Sequence, residues 1–419
     1  MHILLIVDCY LPSLKSGAKM MHDLGVEFRR QGHEVTVLTP SDTISEGLLV
    51  RMEEGLRVAR VKTGTIKGST KLFRAMREMR LSGTLWRRAK NLLLAKPADL
   101  IVFYSPTIFF GALVGRLKSR WGCPAYLVLR DIFPQWAVDA GILRKGLVWR
   151  YFRRKEAQQY EIADLIGVES TANLGYFSRE FPKRTYCLQV LYNWTSGDGG
   201  DLASVRYRER LGLQGKVVFL YGGNLGVVQD LDNIVRLAKR LAIHKHIHLL
   251  LVGEGSEVSR LERMIAEEHL SNIQILSAVP QEQYLSMLSE SDVGLISLDR
   301  RLKTHNVPGK MLGYMKCGKP VLASVSSGND LFEILEKNQA GFCVLNGDDD
   351  GLCVAALRLA NDSELRVSMG KNSYKMMERL FSVEATVRQI MKQFEQEASP
   401  VKEIAMIQQE NSSSSAGSF

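Results

Sequence analysis

Short apolar runs alternate with amphipathic segments along most of the chain. In its first part, the apolar runs predict buried strands at residues 3–7, 34–39, 100–104, 125–129 and 165–168. Residues 18–31 have the apolar spacing of a helix, which is expected to end at Gly32. Strands that alternate with helices form a parallel sheet with both faces covered. We therefore expect a Rossmann-like α/β domain over residues 1–196.

A Gly- and Asp-rich stretch, residues 195–201, interrupts this alternation and predicts a hinge at 197–214. The alternation then restarts, with strands predicted at 217–220, 248–252, 273–276, 293–296 and 343–345. A second domain of the same kind is expected over residues 215–380. Residues 381–397 are predicted to form a helix in position to cross back to the first domain. Residues 398–419 have little to bury, so we expect a disordered tail.

The length of 419 residues, of which 45% are hydrophobic, is enough for two domains with sizeable cores. The six cysteines show neither metal-ligand nor disulfide spacing, which is typical of a reduced, cytoplasmic protein. The opening residues MHILLIVD lack the basic lead of a signal peptide. The longest apolar run, residues 100–114, is shorter than the roughly 20 residues of a spanning helix, and Pro106 breaks it. We expect no transmembrane helix.

Positive charge is concentrated in two places along this chain of net charge +10. Residues 60–96 carry eleven lysines and arginines against one acid, and a second basic cluster occupies residues 144–155. Apolar residues interleaved with the first cluster, such as Leu72, Leu81, Leu85 and Trp86, predict a surface helix that rests on an anionic membrane. A solvated basic face would give the same pattern. No nucleic acid partner is expected, because no helix-turn-helix, RNP or zinc pattern accompanies the charge.

Two loops have the pattern of a phosphate-binding site. The apolar run 217–220 leads into Gly222, Gly223 and Asn224 and then into an amphipathic helix. This arrangement delivers an anion to backbone N–H groups at the end of a strand. A second loop places Lys310 ahead of a short helical pattern and adds a cation. The two loops predict a diphosphate, bound in a cleft between the two domains.

Several segments together resemble family 4 glycosyltransferases of the GT-B type. In the first half they are YLPSLKSGAKMMHDLGVEFRRQGHEVTVLT, SPTIFFGALVGRL and LVLRDIFPQWAVDAGIL. In the second half they are YGGNLG, LLLVGEGSE, LSESDVGLISL and THNVPGKMLGYMKCGKPVLASVSSGND. The similarity is greatest to bacterial O-antigen and capsule enzymes that transfer an N-acetylated deoxyaminosugar such as N-acetyl-L-fucosamine. It implies the GT-B architecture, in which two Rossmann-like parallel-sheet domains face a cleft.

The resemblance implies a nucleotide-sugar donor, expected to be UDP-linked, and a set of donor contacts. These contacts are Gly17, Gly222, Gly223, Asn224, Glu254, Val279, Asn306, Lys310, Asn329, Asp330 and Glu333. Asn329, Asp330 and Glu333 lie at a predicted helix start, where capping is an alternative role. Catalytic roles are expected for Asp131, Lys310 and His305, although His305 would also fit as an ordinary loop residue.

In the first domain, the resemblance places the sugar and acceptor against Ser16, Gly17, Arg130 and Asp131. Ser16 and Gly17 precede a helix, and a loop without bulk lets the backbone approach a ligand closely. An ordinary tight turn is the alternative. Arg130 and Asp131 end a strand, so both should emerge at the carboxyl edge of the sheet. Asp131 would alternatively cap the turn at residues 133–134.

The chain departs from the family pattern at two points of the donor site. Many relatives carry an arginine and a lysine where this chain has Asn224 and Gln229, so the charge for a diphosphate must come from elsewhere. Lys310 is the best-placed cation, assisted by backbone N–H groups at Gly223 and Asn224. Further cations at residues 300, 301 and 303 either assist or are solvated. Where many relatives carry two glutamates, this chain has His305 and Gly313, which leaves the nucleotide open.

The expected chemistry is glycosyl transfer without a metal or other cofactor. The sequence shows no pair of carboxylates of the kind a retaining glycosidase uses. Catalysis would then depend on fixed donors and a cation that stabilise the leaving diphosphate. Family precedent implies retention without a metal. Asp230 with Asp232, and the run 348–350, mimic a DxD motif, but both lie at predicted helix starts, where acids suit the helix dipole.

The leading hypothesis is a glycosyltransferase bound peripherally to the inner membrane. It would move a sugar from a UDP-sugar to a polyprenyl-diphosphate-linked saccharide in O-antigen or capsule synthesis. A lipid-bound, non-catalytic nucleotide-sugar-binding scaffold is the alternative, motivated by the missing glutamates and basic pair. A dinucleotide-dependent oxidoreductase is a third class, and no GxGxxG motif opens either half to favour it.

Overall fold

The computed structural model describes residues 1–13, 15–63, 78–139, 141–197, 206–301 and 307–395. Within these ranges the chain forms two sheets, one from each half of the sequence. The strands of the first sheet are β1 His2–Ile6, β2 Glu34–Ser41, β3 Leu48–Glu53, β4 Leu56–Lys62, β5 Leu100–Ser105, β6 Ala125–Leu129, β7 Leu165–Val168 and β8 Leu188–Val190. Those of the second are β9 Val217–Gly222, β10 Ile247–Val252, β11 Ile273–Leu276, β12 Val293–Ser297, β13 Val321–Val325 and β14 Gly341–Leu345.

The first sheet has the order β3-β4-β2-β1-β5-β6-β7-β8 and is parallel except at one edge. Each strand predicted in this half is present within about two residues of its expected bounds. The sequence did not predict the antiparallel hairpin of β3 and β4. The outer strand of that hairpin is exposed at Val50, Arg51 and Met52, so it lacks the apolar run of a buried strand.

The second sheet is parallel throughout and has the order β11-β10-β9-β12-β13-β14. The strand order reverses beside β9 here, and beside β1 in the first sheet. In open α/β sheets, ligands bind outside the carboxyl ends of the strands at such a switch point. The fold therefore directs attention to the loops after β1 and β9. These two parallel-sheet domains confirm the predicted α/β, GT-B architecture.

Helices cover both faces of each sheet. In the first half they are α1 Ser16–Arg30, α2 Leu81–Ala95, α3 Gly111–Trp121, α4 Gln135–Asp139, α5 Leu147–Ile162 and α6 Thr171–Glu180. In the second half they are α7 Tyr207–Arg210, α8 Asp232–Leu241, α9 Val258–Glu267, α10 Gln281–Ser289, α11 Lys310–Lys316, α12 Leu331–Asn338, α13 Asp349–Asn361, α14 Ser363–Met376 and α15 Val383–Glu395. The acidic run 348–350 opens α13, and the side chain of Asp348 accepts a hydrogen bond from the N–H of Gly351, which confirms the capping role.

Helix α15 returns to the first domain. Its residues Val387, Ile390 and Phe394 belong to the core that packs between α1 and the first sheet. At the crossing point, Thr195 and Ser382 form a β-bridge, and Gln389 donates a hydrogen bond of 2.6 Å to the carbonyl of Val190. The chain therefore leaves the first domain near Thr195 and returns to it near Ser382, at neighbouring points. Two segments of backbone thus connect the domains side by side. Residues 198–205 of the predicted hinge lie outside the described ranges.

At helix α2 the structure contradicts the prediction that the apolar residues of the first basic cluster face a membrane. Leu81 and Leu85 of α2 are buried in the core of the first domain. Trp86 is half-buried, with the guanidinium groups of Arg116 and Arg120 over its ring at 4.9 and 5.4 Å. Leu72 and its neighbours at 64–77 lie outside the described residues. Among the helices that the structure describes, none has the length and apolar content needed to span a bilayer.

Candidate functional site

The carboxyl edges of the two sheets face each other across a cleft. Thr171 follows β7 of the first domain, and Asp330 follows β13 of the second. The carboxylate of Asp330 accepts hydrogen bonds from the backbone N–H of Thr171 at 2.7 Å and from its hydroxyl at 2.6 Å. Because both strands are parallel members of their sheets, this contact brings together the loop-bearing edges where α/β sites lie.

The glycine loop after β9 packs against the loop after β10 so closely that side chains are excluded. A Cβ on Gly253 would lie 1.8 Å from the carbonyl oxygen of Gly223, and one on Gly222 would lie 2.1 Å from the hydroxyl of Tyr284. Gly223 itself adopts φ +116°, which other residues rarely do. The N–H of Leu225 donates to the carbonyl of Glu254 at 2.8 Å. These contacts fix a cradle with bare backbone at the cleft.

The backbone N–H groups of this loop are mostly engaged within the fold. Gly223 donates its N–H to the carbonyl of Val252 at 2.9 Å, and Gly222 donates to the hydroxyl of Tyr314 at 3.2 Å. The expectation that the Gly223 N–H helps to bind a diphosphate is therefore wrong. Within the described residues the N–H groups of Asn224 and Gly226 donate no hydrogen bond, so both remain for a ligand at this loop.

Lys310 reaches from the start of α11 into the same cradle. Its ammonium lies 3.6 Å from the ring centroid of Tyr221 and 3.2 Å from the side-chain oxygen of Gln229. No carboxylate pairs with it among the residues that the structure describes. Burial lowers the pKa of Lys310 to about 7, because desolvation disfavours the charged form. A cation without a counter-ion at the mouth of a cleft is a site for an anionic ligand.

Gln229 and Tyr221 hold this lysine in place, a role that sequence reasoning missed. The hydroxyl of Tyr221 donates to the carbonyl of Asn224 at 2.8 Å and also lies 3.1 Å from the Gln229 oxygen that accepts from Lys310. Gln229 stands where many relatives carry a second cation, and here it orients the first. The only sequence signal for this role was the position of a tyrosine, Tyr221, at the end of an apolar strand.

A second group of polar side chains lines the first domain's edge of the cleft. Burial raises the pKa of Asp8, which follows β1, and of Asp131, which follows β6. The Asp131 carboxyl adds a smaller contribution to the raised pKa of Asp8, because like charges close together disfavour ionisation. One oxygen of Asp8 is buried without a hydrogen-bond partner, whereas Asp131 reaches solvent in the cleft. Its carboxylate makes no recorded hydrogen bond within the described chain, so it does not cap the turn at 133–134.

Arg130 is a structural residue rather than a ligand. It is 6% exposed, and its guanidinium lies 5.3 Å from the ring centroid of Trp194. It also lies 3.6 Å from the carboxylate of Glu169 and donates to the carbonyl of Tyr192 at 3.3 Å. The expected sugar contact through Arg130 is therefore wrong, since its head group is turned into the domain. Its charge stabilises Glu169, whose pKa burial nevertheless raises.

The next predicted residues lie near the facing edges of the two domains. Glu254 and Val279 lie in loops of the second domain. The prediction that Ser16 and Gly17 precede a helix is wrong, because both belong to the first turn of α1, where Ser16 is exposed and Gly17 is buried. A Cβ on Gly17 would lie 2.6 Å from the hydroxyl of Tyr104 at the end of β5, so this glycine is required by a close approach.

Of the three residues predicted to contact the donor in and after the loop that follows β13, one has the alternative role of a helix cap. The side chain of Asn329 accepts from the N–H of Leu331 at 3.0 Å, and Asp330 is occupied by Thr171. Glu333 pairs with Lys337 on the exposed side of α12, so the structure does not bring its carboxylate to the cradle. The remaining predictions, His305 and Asn306, lie outside the described residues, as does Lys303.

Two further candidate charges are engaged within the fold, while Arg300 is exposed to solvent. Arg301 is turned onto Asp299, with contacts down to 2.5 Å, and its pairing lowers the pKa of that carboxyl. Asp232 of the apparent DxD motif accepts from Arg260 at 2.5 Å. Within the described ranges no group of three or more His, Cys, Asp or Glu side chains is arranged to hold a metal ion. Lys310 is thus the candidate cation whose ammonium lies in the glycine cradle, whereas Arg301 is engaged by Asp299.

Both halves of the chain match known protein families. Residues 17–177 match the family described as "Glycosyl transferase 4-like domain", and residues 205–376 match "Glycosyl transferases group 1". Among curated proteins, the chain is 25% identical over 233 residues to the "Probable glycosyltransferase WbjE" of Pseudomonas aeruginosa, covering 54% of this chain and 57% of that protein. It is 24% identical to a "GDP-mannose-dependent alpha-mannosyltransferase" of Mycobacterium tuberculosis, covering 62% of this chain and 64% of that protein. The chain thus spans less than two thirds of either relative.

Solved structures share the fold. HepE of Anabaena, solved in complex with UDP, superimposes with a TM-score of 0.67 at 16% identity. The match covers 94% of this chain and 100% of that one. At this level of identity the likeness shows the two-domain fold.

Proposed function

Because family matches cover both of its domains, the chain belongs to the glycosyltransferases of the GT-B type, and we propose that it takes a sugar from a nucleotide-diphosphate donor held by Lys310. The observation that carries the proposal is the unpaired ammonium of Lys310, fixed over Tyr221 at the cleft. Bringing a diphosphate to this position would supply the missing counter-ion. The same contact would stabilise the negative charge that grows on the diphosphate as the sugar leaves.

The donor is proposed to be a UDP-sugar that carries an N-acetylated deoxyaminosugar. UDP is supported by the resemblance described above and by the ligand of the similarly folded HepE. The mannosyltransferase relative uses a GDP-sugar, so GDP is the competing nucleotide. Gly313, which stands where many relatives carry a glutamate, offers no side chain to a ribose, so recognition of the nucleoside falls to neighbouring loops such as 253–255.

The acceptor is proposed to be a polyprenyl-diphosphate-linked saccharide at the cytoplasmic face of the inner membrane, in O-antigen or capsule synthesis. It would enter the cleft from the first domain, beside Asp8 and Asp131. The carboxylate of Asp131 is exposed to the cleft and has a raised pKa, which suits a group that accepts a proton from an attacking hydroxyl. In this proposal no metal or other cofactor takes part, and transfer proceeds with retention, as family precedent implies.

A thermal-shift panel of UDP-, GDP-, dTDP- and ADP-sugars tests the donor. A ligand present at one hundred times its dissociation constant should add about 2.7 kcal/mol to the free energy of unfolding. Lys310→Ala should abolish this shift, whereas Lys239→Ala, an exposed lysine of the same domain, should keep it. A shift that is equal in Lys310→Ala and in the parent chain would refute the phosphate role of Lys310.

Transfer itself separates the enzyme from a non-catalytic scaffold. The parent chain is incubated with the stabilising donor and a lipid-linked acceptor, and the released nucleotide diphosphate is measured. Release that depends on acceptor supports the enzyme. Binding of the donor without release or transfer across the acceptor panel supports the scaffold.

A further inference from the structure

Five large apolar side chains are exposed together at residues 136–151. They are Trp136, Ile142, Leu147, Val148 and Tyr151. Ile142 is 69% exposed and Leu147 is 82% exposed, the largest value among the exposed apolar residues of the described chain. We call these five residues the rim patch. Scattered exposed apolar residues are ordinary, but a cluster of this kind marks a surface that binds something.

The rim patch borders the cleft. The segment follows Asp131, which lies at the carboxyl end of β6, and it leads into α5. Helix α5 connects β6 to the parallel strand β7, so it must run from the carboxyl edge of the sheet to the amino edge. Its first turn, with Leu147 and Val148, therefore lies at the same edge as Asp131.

An aromatic cluster holds the rim patch in place. The ring of Phe133 packs edge-on against Phe152, with centroids 5.0 Å apart, and lies 6.0 Å from the ring of Trp136. Phe152 in turn contacts the buried Phe109 at 6.3 Å. The segment that carries the exposed side chains is thus packed against the domain through its aromatic rings. Their exposure does not result from a loosely packed loop.

Basic side chains surround the rim patch. Arg144, Arg150 and Arg154 are exposed and make no ion pair within the described residues, and the ammonium of Lys145 lies 5.7 Å from the ring of Trp149. Arg150 and Arg154 also line a cavity of about 960 Å³ along α5, together with Lys155 and Arg184. The combination of apolar side chains that project outward and unpaired arginines around them is complementary to an anionic lipid surface.

We propose that the rim patch inserts into a bilayer containing anionic phospholipids, with the surrounding arginines on the lipid phosphates. This inference rests on the proposed function in that a polyprenyl-linked acceptor would then reach the cleft from the membrane beside it. The bound occupant is the bilayer; a second copy of this chain is the alternative that the experiment must exclude. The proposed docking surface comprises residues 136–139 and 141–154, which include the second basic cluster, whereas the sequence analysis placed the membrane contact at the first.

Vesicle flotation with the full chain tests the proposal. Vesicles of phosphatidylethanolamine with 30% phosphatidylglycerol are compared with pure phosphatidylcholine, which carries no net charge. The parent chain should partition to the anionic vesicles, and the double variant Leu147→Ser with Val148→Ser should lower the partition coefficient by at least about tenfold. Arg150→Ala with Arg154→Ala should lower it by about tenfold or more, with a weaker dependence on salt than the parent.

Matched controls identify the surface. Val354→Ser with Val367→Ser removes two exposed valines of the second domain, and Arg87→Ala with Lys90→Ala removes two charges of the first basic cluster. Both control variants should partition like the parent. A loss confined to Arg87→Ala with Lys90→Ala would overturn the proposal in favour of the first cluster. A parent dimer in solution that Leu147→Ser with Val148→Ser converts to monomer would overturn it in favour of a second copy.

Donor-induced thermal shift is measured on every variant, because it does not need a membrane. If the rim variants lose partition and keep the donor shift, docking and donor binding are separate, as proposed. If the parent floats with anionic vesicles but shows no donor shift, the proposed function fails while the docking surface stands.

Discussion

The carboxylate of Asp330 in the second domain accepts two hydrogen bonds, of 2.7 and 2.6 Å, from Thr171 in the first domain. Asp330 is 6% exposed, so this contact is shielded from water. Hydrogen bonds that involve an ionised partner are worth more than neutral ones, about 1.5–3 kcal/mol each. The contact therefore joins the carboxyl edges of the two sheets, where it can limit how far the cleft opens. We call the hydrogen-bonded pair Asp330 and Thr171 the latch.

Removing the latch should open the cleft. Asp330→Ala removes both hydrogen bonds, so we expect a larger radius of gyration in small-angle X-ray scattering and a donor KM raised several-fold. Thr171→Val loses only the hydroxyl and should show a smaller effect. Glu333→Gln, three residues on, is the matched control, because the carboxylate of Glu333 pairs with Lys337 of the same helix. Equal scattering profiles for Asp330→Ala and the parent would contradict the latch.

Donor affinity should fall as the pH rises through about 7. Burial lowers the pKa of Lys310 to about 7, so the ammonium that binds phosphate is present below this pH and is lost above it. Each pH unit above the pKa should cost up to about tenfold in affinity, since proton uptake is then coupled to binding. Titration calorimetry at pH 6, 7 and 8 measures this. Lys310→Arg, which stays charged, should bind with little dependence on pH.

Asp131→Asn should lower kcat with little effect on the donor KM. A carboxylate that accepts a proton in the transition state contributes on the order of a hundredfold or more, which the amide cannot replace. Because burial raises the pKa of Asp131, activity of the parent should also decline at a pH above the usual range of an aspartate as the medium is acidified. Steady-state kinetics from pH 4.5 to 8 measure both effects. An acid limb that persists unchanged in Asp131→Asn would assign it to another group, such as Asp8.

Gly17→Ala should destabilise the protein and weaken donor binding. Its new Cβ would lie 2.6 Å from the hydroxyl of Tyr104, closer than real contacts allow, so the first turn of α1 or the tyrosine must shift. Tyr104→Phe in the same chain should restore part of the loss, because it removes the nearest atom. Gly83→Ala is the matched control: nothing lies within 4 Å of its Cβ, and within helix α2 alanine should add about 0.5–1 kcal/mol. Chemical denaturation of these three variants and the parent gives the comparison.

Much of the fold could be predicted from the sequence because its strands are buried on both faces. Such strands are continuous apolar runs, and the runs at 3–7, 125–129 and 217–220 gave both their position and their parallel pairing. The edge hairpin at residues 48–62 could not be found this way. Its outer strand is exposed to solvent, and β4 pairs with β2, a pairing that the residues of the hairpin do not specify.

Site residues could be predicted where the backbone conformation requires a particular residue type. They could not be predicted where the role of a side chain depends on partners far away in the sequence. The glycine cradle and Lys310 follow from a strand that ends in a turn. The role of Arg130 does not, because its partners Glu169 and Trp194 lie 39 and 64 residues further along the chain. Whether an N–H is free, as at Asn224, or engaged, as at Gly223, likewise depends on the opposite loop. The sequence did not predict the rim patch, because both basic clusters contain interleaved apolar residues. Only the structure shows that those of α2 are buried whereas those at the start of α5 are exposed.

The return of helix α15 to the first domain has a consequence for how the molecule is made. Tyr126, Trp194 and Val387 share one core, yet the third of these is synthesised after the whole second domain. The nascent first domain therefore emerges with part of its interior open, and it cannot be sealed until translation has passed residue 395. A shortened gene that stops after the first domain should yield an aggregation-prone product, which a separately supplied peptide of residues 383–395 would rescue.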